Sequence, residues 1–273
     1  MHGTFNMMKL SVPVKSRGVV LFAFDTPAIK YTQIAEQATR IINHVLGLPV
    51  TLITESGYTN TLFDKIVYID NTMPNIKPGQ GTVWRNGNRY CAYRFSPYDE
   101  TLLLDSDYLM LDQSLLTLFE QDFDYKLMTN NHSQLEVWPD RMGPYSLQYQ
   151  WATAVLFRKT DTANMLFDLV GRIQRNYLYY WSLYHVRTGS FRNDYAFTIA
   201  NNILNGYSQN PTCNIPWPML TYTEVINSMS LNNNLITIKE ADKAYVIPQQ
   251  NIHIMDKEYL LSDDFNNFVD TIC

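Results

Sequence analysis

The sequence predicts an α/β domain built on a mostly parallel central sheet flanked by helices. A short apolar run at Gly18–Phe24 and a β-rich run at Val50–Thr54 flank a stretch, Tyr31–Leu46, whose apolar residues fall on one helical face. Strand, helix and strand in this order are typical of a parallel pair joined by a crossover. At 273 residues the chain is long enough for one large domain of this class.

Apolar runs and chain breakers predict the remaining elements. We expect strands at Lys65–Asp70, Thr101–Leu104, Lys126–Thr129, Trp151–Phe157, Leu235–Ile238 and Ala244–Ile247. We expect helices at Ser114–Gln121, Asp161–Leu183 and Asp194–Leu204. Residues 71–88 and 130–146 are predicted to be loops, residues 90–95 to lead into the strand at Thr101, and the last third to be a loop-rich extension. We therefore expect an irregular leader at 1–16 and a single domain at 17–273, with halves at about 17–125 and 126–273.

Composition and charge limit the possible functions. The net charge of −5 argues against a large basic surface for nucleic acid. Cys91, Cys213 and Cys273 are scattered without metal-type spacing, which favours a reducing compartment. Neither a signal peptide nor a run long enough to cross a bilayer is visible, so we expect a cytoplasmic protein with no membrane partner.

An acidic pair interrupts the most apolar part of the sequence. The run Leu102–Leu104 ends in Asp105-Ser106-Asp107, and a second apolar run follows at once. Two carboxylates are costly to bury unless a cation accompanies them. In an extended segment their side chains share a face, and carboxylate oxygens suit Mg²⁺ or Mn²⁺. The pair therefore predicts a divalent metal site, although two acids at this spacing also occur in strand-end turns.

The order of several motifs resembles the GT-A glycosyltransferases, in particular the glycogenin and bacterial galactosyltransferase group. Tyr98–Asp107 follows that group's acidic strand, and Tyr31 stands where its members have a tyrosine that packs on the donor base. Trp151-Ala-Thr-Ala154 stands in the place of an Asn-Ser-Gly strand but lacks the Asn. Asn251 to Lys257 keeps the His and Lys of a His-x-x-Gly-x-x-Lys element but lacks its Gly and its spacing.

The resemblance implies a GT-A Rossmann-like fold, a nucleotide-sugar donor and a role for each matching residue. The metal ligands would be Asp105, Asp107 and His253, with Mn²⁺ or Mg²⁺ as the cofactor. The donor would contact Phe24, Asp25, Thr26, Tyr31, Arg94, Ser106 and Lys257. Asp194 and Asn193 would lie near the transferred sugar, as hydroxyl contacts or as a general base, although Asp194 is also a suitable helix N-cap. Thr153, in the place of the Asn-Ser-Gly strand, would lie on the acceptor side. Trp138, in the predicted loop, either shapes an acceptor pocket or lid or is a buried anchor of that loop.

We expect metal-dependent transfer of a hexose or pentose from a nucleotide sugar, with UDP as the nucleotide. The Asn- and Tyr-rich composition suggests a tailed-bacteriophage enzyme, for which hydroxymethylcytosine in phage DNA is one acceptor. A basic groove for such DNA could draw on Arg85, Arg89, Lys126, Arg141, Arg158, Lys159, Arg172 and Arg175. Protein or carbohydrate acceptors, nucleotidyl transfer and a non-catalytic nucleotide-sugar-binding protein remain alternatives.

Overall fold

The structure is a computed structural model that describes residues 15–70, 75–76, 83–84, 87–133, 141–143, 146–186 and 190–273. Its strands are, in chain order, β1 (Arg17–Phe22), β2 (Val50–Thr54), β3 (Lys65–Tyr68), β4 (Asn75–Ile76), β5 (Val83–Trp84), β6 (Glu100–Asp105), β7 (Tyr108–Leu109), β8 (Tyr125–Met128), β9 (Asn131–Ser133), β10 (Trp151–Arg158), β11 (Asn214–Ile215), β12 (Met219–Tyr222), β13 (Ser228–Asn232), β14 (Leu235–Lys239), β15 (Ala244–Pro248) and β16 (Ile252–Ile254). Its α-helices are α1 (Tyr31–Leu46), α2 (Ala92–Phe95), α3 (Asp161–Arg175), α4 (Tyr177–Leu183), α5 (Asn193–Leu204) and α6 (Asp263–Ile272). Four 3-10 helices add Gly87–Cys91, Ser114–Glu120, Pro211–Cys213 and Tyr259–Leu261.

A seven-stranded main sheet forms the centre of the molecule, in the order β11-β8-β10-β6-β1-β2-β3. The pairs β6–β1, β1–β2, β2–β3 and β11–β8 are parallel, whereas β10 runs antiparallel to both β6 and β8. Strands β1, β2, β6 and β10 are buried over almost their full length, as expected for strands covered on both faces. The predicted α/β class with a mostly parallel central sheet and flanking helices is confirmed.

A second, four-stranded sheet has the order β7-β16-β12-β9 and joins segments that lie far apart in sequence. Strand β12 pairs in parallel with β9 and β16, and β16 pairs antiparallel with β7. Strands β13, β14 and β15 form a separate antiparallel meander next to α6. A second hydrophobic cluster underlies this part, formed by residues of α1, β7, β12, β14, β16 and α6. The C-terminal region therefore has its own apolar core, which α1 shares.

Most predicted elements of the first half are confirmed, with boundaries shifted by one or two residues. The helix Tyr31–Leu46 and the strand Val50–Thr54 have the predicted bounds. Helix α1 ends at Gly47, whose φ of 63° is accessible to glycine at little cost, as its place in a C-cap requires. The parallel β1–α1–β2 crossover is also present. In the second half, the strands at Trp151–Phe157, Leu235–Ile238 and Ala244–Ile247 and the helix at Asp194–Leu204 are confirmed.

Other predictions were wrong in detail. The long helix Asp161–Leu183 is two helices, α3 and α4, because Asn176 leaves helical geometry at φ −119° and ψ 31°. The predicted helix at Ser114–Gln121 is a 3-10 helix. Residues 87–95 are helical rather than an extended approach to β6. The predicted loop 130–146 contains β9, and the loop-rich extension contains β12, β13, β16 and α6. Most of the predicted loop at 71–88 and most of the leader at 1–16 lie outside the described residues.

Candidate metal and donor site

The acidic pair lies where the chain passes from the main sheet to the second sheet. Asp105 ends β6 and is in register with Phe22 at the carboxyl end of the neighbouring parallel strand β1. Ser106 and Asp107 form a turn, and Tyr108 then begins β7 in the second sheet. The carboxyl ends of parallel strands are where open α/β sheets bind ligands. We call this junction, residues 105–108, the seam.

Asp105 is held by an arginine that the sequence analysis did not place at this site. The guanidinium of Arg89, whose side chain is 1% exposed, forms an ion pair with Asp105 through Nη1. Its Nη2 donates to the carbonyl of Ala152 at 2.6 Å, at the start of β10. Arg89 therefore ties the end of β6 to the start of β10. Burial of Asp105 raises the pKa of its carboxyl above the ordinary value, although the charge of Arg89 opposes that shift.

Asp107 faces two groups from the C-terminal part of the chain. The Nζ atom of Lys257 lies 2.5 Å from Asp107 Oδ2, and Nε2 of His253 lies 3.3 Å from Oδ1. Lys257 also donates to the carbonyl of Ile254 at 2.7 Å. Burial acts to raise the pKa of Asp107, but Lys257 and His253 outweigh that effect and hold it well below its usual range. Asp107 is therefore a carboxylate at neutral pH.

The ring of His253 is oriented with Nε2 towards the acidic pair. Thr221 donates its hydroxyl proton to Asn131 Oδ1 at 2.9 Å, and its oxygen lies 3.4 Å from His253 Nδ1. The contact at Nδ1 leaves Nε2, which lies 3.3 Å from Asp107 Oδ1, as the ring atom available to a cation at the acidic pair.

The residues present fit a divalent cation. Ligand atoms of Asp105, Asp107 and His253 all lie within 4.8 Å of one another. Asp107 Oδ1 is buried, and its 3.3 Å contact with His253 Nε2 leaves a lone pair of this oxygen for a further group. Two carboxylates and one imidazole are oxygen and nitrogen ligands of the kind that Mn²⁺ and Mg²⁺ accept.

The end of β1 and the start of α1 form the adjoining wall. Asp25 accepts from the amide and the hydroxyl of Thr32 at 2.9 and 3.0 Å, so its carboxylate fixes the first turn of α1. Thr26 accepts from the amide of Ile29 at 2.9 Å, and Phe24 is buried. Tyr31 is half-buried, and its pKa is raised by burial and then by the charges of Asp107 and Asp105. Tyr31 therefore lies close to the acidic pair.

Asp194 and Asn193 begin α5 on the opposite side, and both are buried. Asp194 Oδ1 accepts from the amide of Ala152 at 2.8 Å, and Oδ2 lies 3.0 Å from Nη2 of Arg192. Ala152 is thus bound through its N–H by Asp194 and through its C=O by Arg89. Thr153, the next residue of β10, is also buried. The guanidinium of Arg192 in turn lies over the ring of Trp151, 5.9 Å from its centroid.

The structure brings together most of the predicted residues and places Arg94 away from the acidic pair. Ser106 is buried in the seam between the two acids. Arg94 is exposed on α2, with its guanidinium 5.4 Å from the ring centroid of Phe95, and Arg89 instead contacts Asp105. Trp138 lies outside the described residues. Arg89 and Arg94 both precede β6, and helical geometry at 87–95 decides which one reaches the acid. The sequence analysis expected no helix there, so no signal distinguished the two arginines.

Several side chains of the predicted basic groove are engaged in contacts within the protein. Arg158 donates to Glu100 and to three backbone carbonyls, and the ammonium of Lys126 donates to the carbonyl of Thr212 at 2.8 Å. Lys159 donates to the carbonyl of Tyr93, and Arg89 is buried against Asp105. These side chains do not supply a free cationic surface. Arg85 lies outside the described residues.

Comparisons with known proteins give distant structural likenesses. No family model and no curated protein matches the chain. A solved structure of the glycosyltransferase GlyE from Streptococcus pneumoniae TIGR4 matches at 17% identity and a TM-score of 0.37, over 69% of this chain and 43% of that one. The galactosyltransferase LgtC, solved with donor and acceptor sugar analogues, matches at 12% identity and a TM-score of 0.48, over 93% and 95% of the two chains.

Mouse xyloside xylosyltransferase 1 matches at 9% identity and a TM-score of 0.42, over 73% of this chain and 84% of that one. The chain spans less than half of the length of GlyE. These likenesses are distant and assign no activity to this chain. In the part of the chain that the structure describes, no helix is both long and apolar enough to cross a membrane.

Proposed function

We propose that the protein is a metal-dependent glycosyltransferase that moves a sugar from a nucleotide-sugar donor, UDP-linked in the first instance, to an acceptor. The observation that carries this proposal is the convergence of Asp105, Asp107 and His253 beside the carboxyl ends of β1 and β6, with ligand atoms within 4.8 Å of one another. The burial of Asp107 Oδ1 beside Nε2 of His253, 3.3 Å away, supports it.

Asp105, Asp107 and His253 would hold Mn²⁺ or Mg²⁺. Such a cation, when bound, neutralises charge that develops on a diphosphate leaving group. Lys257 lies beside Asp107 and supplies a compact positive charge for the same phosphates. Tyr31, next to the acidic pair, offers a ring face to the donor base, and Phe24, Asp25 and Thr26 shape the wall that carries it. We place Ser106 in the same donor site because it is buried between the two acids.

Asp194 and Asn193 are proposed to contact the transferred sugar. Both oxygens of Asp194 already accept, one from the Ala152 amide and one from Arg192. Each oxygen keeps a further lone pair that can accept from a sugar hydroxyl. We therefore assign Asp194 to contacts with the transferred sugar. Arg89 would keep Asp105 in place while the donor binds.

The acceptor is the least constrained part of the proposal. A carbohydrate or protein acceptor fits the structure better than DNA, because Arg89, Lys126, Arg158 and Lys159 are engaged in internal contacts. The net charge of −5 points the same way. Thr153 remains the proposed acceptor-side residue among those that the structure describes.

A donor screen with mass detection tests the proposed function. The protein is incubated with Mn²⁺ and a panel of UDP, GDP and ADP sugars, and free nucleoside diphosphate is measured with and without acceptors, hydroxymethylcytosine DNA included. We expect hydrolysis of one donor or transfer of its sugar. This activity should be lost in the Asp107→Asn variant and, for the unchanged protein, when a chelator is added. Release of pyrophosphate would identify nucleotidyl transfer instead. Donor binding without any turnover would identify a non-catalytic binding protein, and no response to any donor would refute the proposal.

A further inference from the structure

We propose that a polar cavity at the carboxyl-terminal end of α5 binds neutral carbohydrate. The cavity has a volume of about 170 Å³. Among the described residues, its polar lining includes Gln148, Gln150, Asn201, Asn202, Tyr207 and Asn214. Arg141 is the one charged side chain among the described lining residues, and its Nη1 donates to the carbonyl of Ser146 at 3.1 Å. The lining is therefore dominated by amides and hydroxyls, which donate and accept hydrogen bonds without net charge.

Gln150 is the strongest indication that a ligand belongs here. Its side chain lines the cavity and the residue is 5% exposed, but Oε1 has no hydrogen-bond partner among the described residues. The backbone of Gln150 is fixed separately, because its amide donates to Thr198 Oγ1 at 2.9 Å and its carbonyl accepts from the same hydroxyl. A buried acceptor left unpaired costs about 1–3 kcal/mol. A hydroxyl donor from a ligand would remove that cost.

Tyr207 adds an apolar face at the rim of the cavity. Its backbone has φ of 63°, in the left-handed region that a tyrosine rarely adopts, and it follows Gly206 with φ of 60°. The Tyr207 ring is 58% exposed but held in place, because its hydroxyl shares a hydrogen bond with that of Tyr184 at 2.6 Å. A fixed aromatic face beside amide groups suits a pyranose, which has apolar C–H faces and hydroxyls around its edge.

Size and charge select the ligand class. The cavity is smaller than the roughly 300–1,000 Å³ of pockets for drug-sized ligands, so it suits one sugar ring rather than a nucleotide. With its one described charged side chain already bonded to a carbonyl, the cavity offers little to a phosphate. A peptide backbone could use the same amides but has no flat apolar face for Tyr207.

Helix α5 connects this cavity to the donor site. Asp194, Thr198 and Asn201 lie on one face of the helix, four and three residues apart. Residues 150–152, where β10 begins, run along that face, since the amide of Ala152 donates to Asp194 and that of Gln150 donates to Thr198. Asn201 lies seven residues beyond Asp194, about 10 Å along the helix axis. A short oligosaccharide can span that distance. The assignment of the bound sugar to the acceptor rests on the proposed function, whereas the binding itself does not.

Saturation-transfer NMR tests the binding directly. Lactose, maltotriose and cellotriose are presented to the full chain without donor or metal, with triglycine and glucose 6-phosphate as contrasting probes. We expect at least one neutral saccharide to bind with millimolar affinity. Gln150→Leu and Tyr207→Gly should each weaken that binding at least about tenfold. Tyr207→Gly should keep or raise Tm, because glycine adopts the left-handed conformation without strain.

Matched controls separate binding from folding and from transfer. Gln121→Leu and Tyr179→Ala change exposed residues outside the described cavity lining and should leave saccharide binding unchanged. Asp107→Ala should abolish turnover but keep saccharide binding, so failure of the transferase proposal is seen separately. Three results would overturn the cavity assignment. They are the absence of an NMR saturation-transfer signal for every neutral saccharide, unchanged saccharide binding in both cavity variants, and binding of triglycine in place of the sugars.

Discussion

The main sheet and the second sheet are built from different kinds of sequence. Strands β1, β2, β6 and β10 of the main sheet are five to eight residues long and buried along almost their whole length. The second sheet joins two-, three- and four-residue strands from four distant parts of the chain. The main sheet contributes Asp105, and the second sheet contributes His253 and borders Asp107. The geometry of the site therefore depends on how the main sheet, with its long buried strands, packs against a sheet of short strands.

The largest effect is expected where the two sheets meet. Asp107→Ala should lower transfer by at least about a thousandfold, because it removes a proposed metal ligand and leaves Lys257 without its carboxylate partner. Initial rates with the best donor of the screen give the measurement. Asp122→Ala, at a fully exposed carboxylate, is the control and should keep full activity. Retention of Mn²⁺-dependent transfer by the Asp107 variant would show that the seam is not the catalytic centre.

The next test addresses the main sheet. Arg89→Met should destabilise the protein by about 1–3 kcal/mol, because it leaves the partly buried Asp105 and the Ala152 carbonyl without their shared donor. Urea unfolding gives the free energy of unfolding. Arg94→Met, at an exposed arginine on α2, should change it by less than about 0.5 kcal/mol. Equal effects of the two substitutions would remove Arg89 from its assigned role.

A gentler change tests the second sheet. Thr221→Val removes the hydroxyl that orients His253 but keeps the shape of the side chain. Loss of such a supporting contact should weaken Mn²⁺ binding by about 10- to 100-fold. Titration calorimetry measures the affinity, and unfolding should show a loss of only about 1 kcal/mol for the Asn131 contact. Unchanged Mn²⁺ affinity would mean that His253 is held by other contacts or is not a ligand.

The smallest effect concerns the amino end of β6. Glu100 is buried and accepts from Arg17 and Arg158 at 2.8 Å each, and these arginines outweigh burial to lower its pKa. A lowered pKa in the folded state gives stability that is fully present above the unfolded value of about 4.3 and is lost as pH falls through the lower folded value. Glu100→Gln should therefore reduce the loss of unfolding free energy that occurs as the pH is lowered, the acid limb of the pH profile. An unchanged limb, measured by urea unfolding from pH 6 down to about pH 3, would contradict this.

The contrast between the sheets explains how far the sequence could be interpreted. The run Val50–Thr54 predicts its own structure, because strands buried on both faces are rich in apolar and β-branched residues at successive positions. Residues 131–133 and 252–254 become strands only through partners far away in sequence, so no local pattern predicts them. The same holds for Arg89, whose contact with Asp105 depends on the helical path of residues 87–95. The acidic pair was visible because its two carboxylates interrupt two apolar runs, and ionised side chains are seldom buried without a partner.

Ala152 offers a spectroscopic view of both sides of the site at once. Its amide proton is bound by the carboxylate of Asp194 and its carbonyl oxygen by the guanidinium of Arg89. Chemical shifts of backbone amide and carbonyl nuclei respond strongly to charged hydrogen-bond partners. A single alanine labelled with ¹⁵N and ¹³C at position 152 should therefore carry two resonances, one sensing events at Asp105 through Arg89 and the other events at α5. Titration of donor and acceptor separately would then show in which order the two sides of this residue respond.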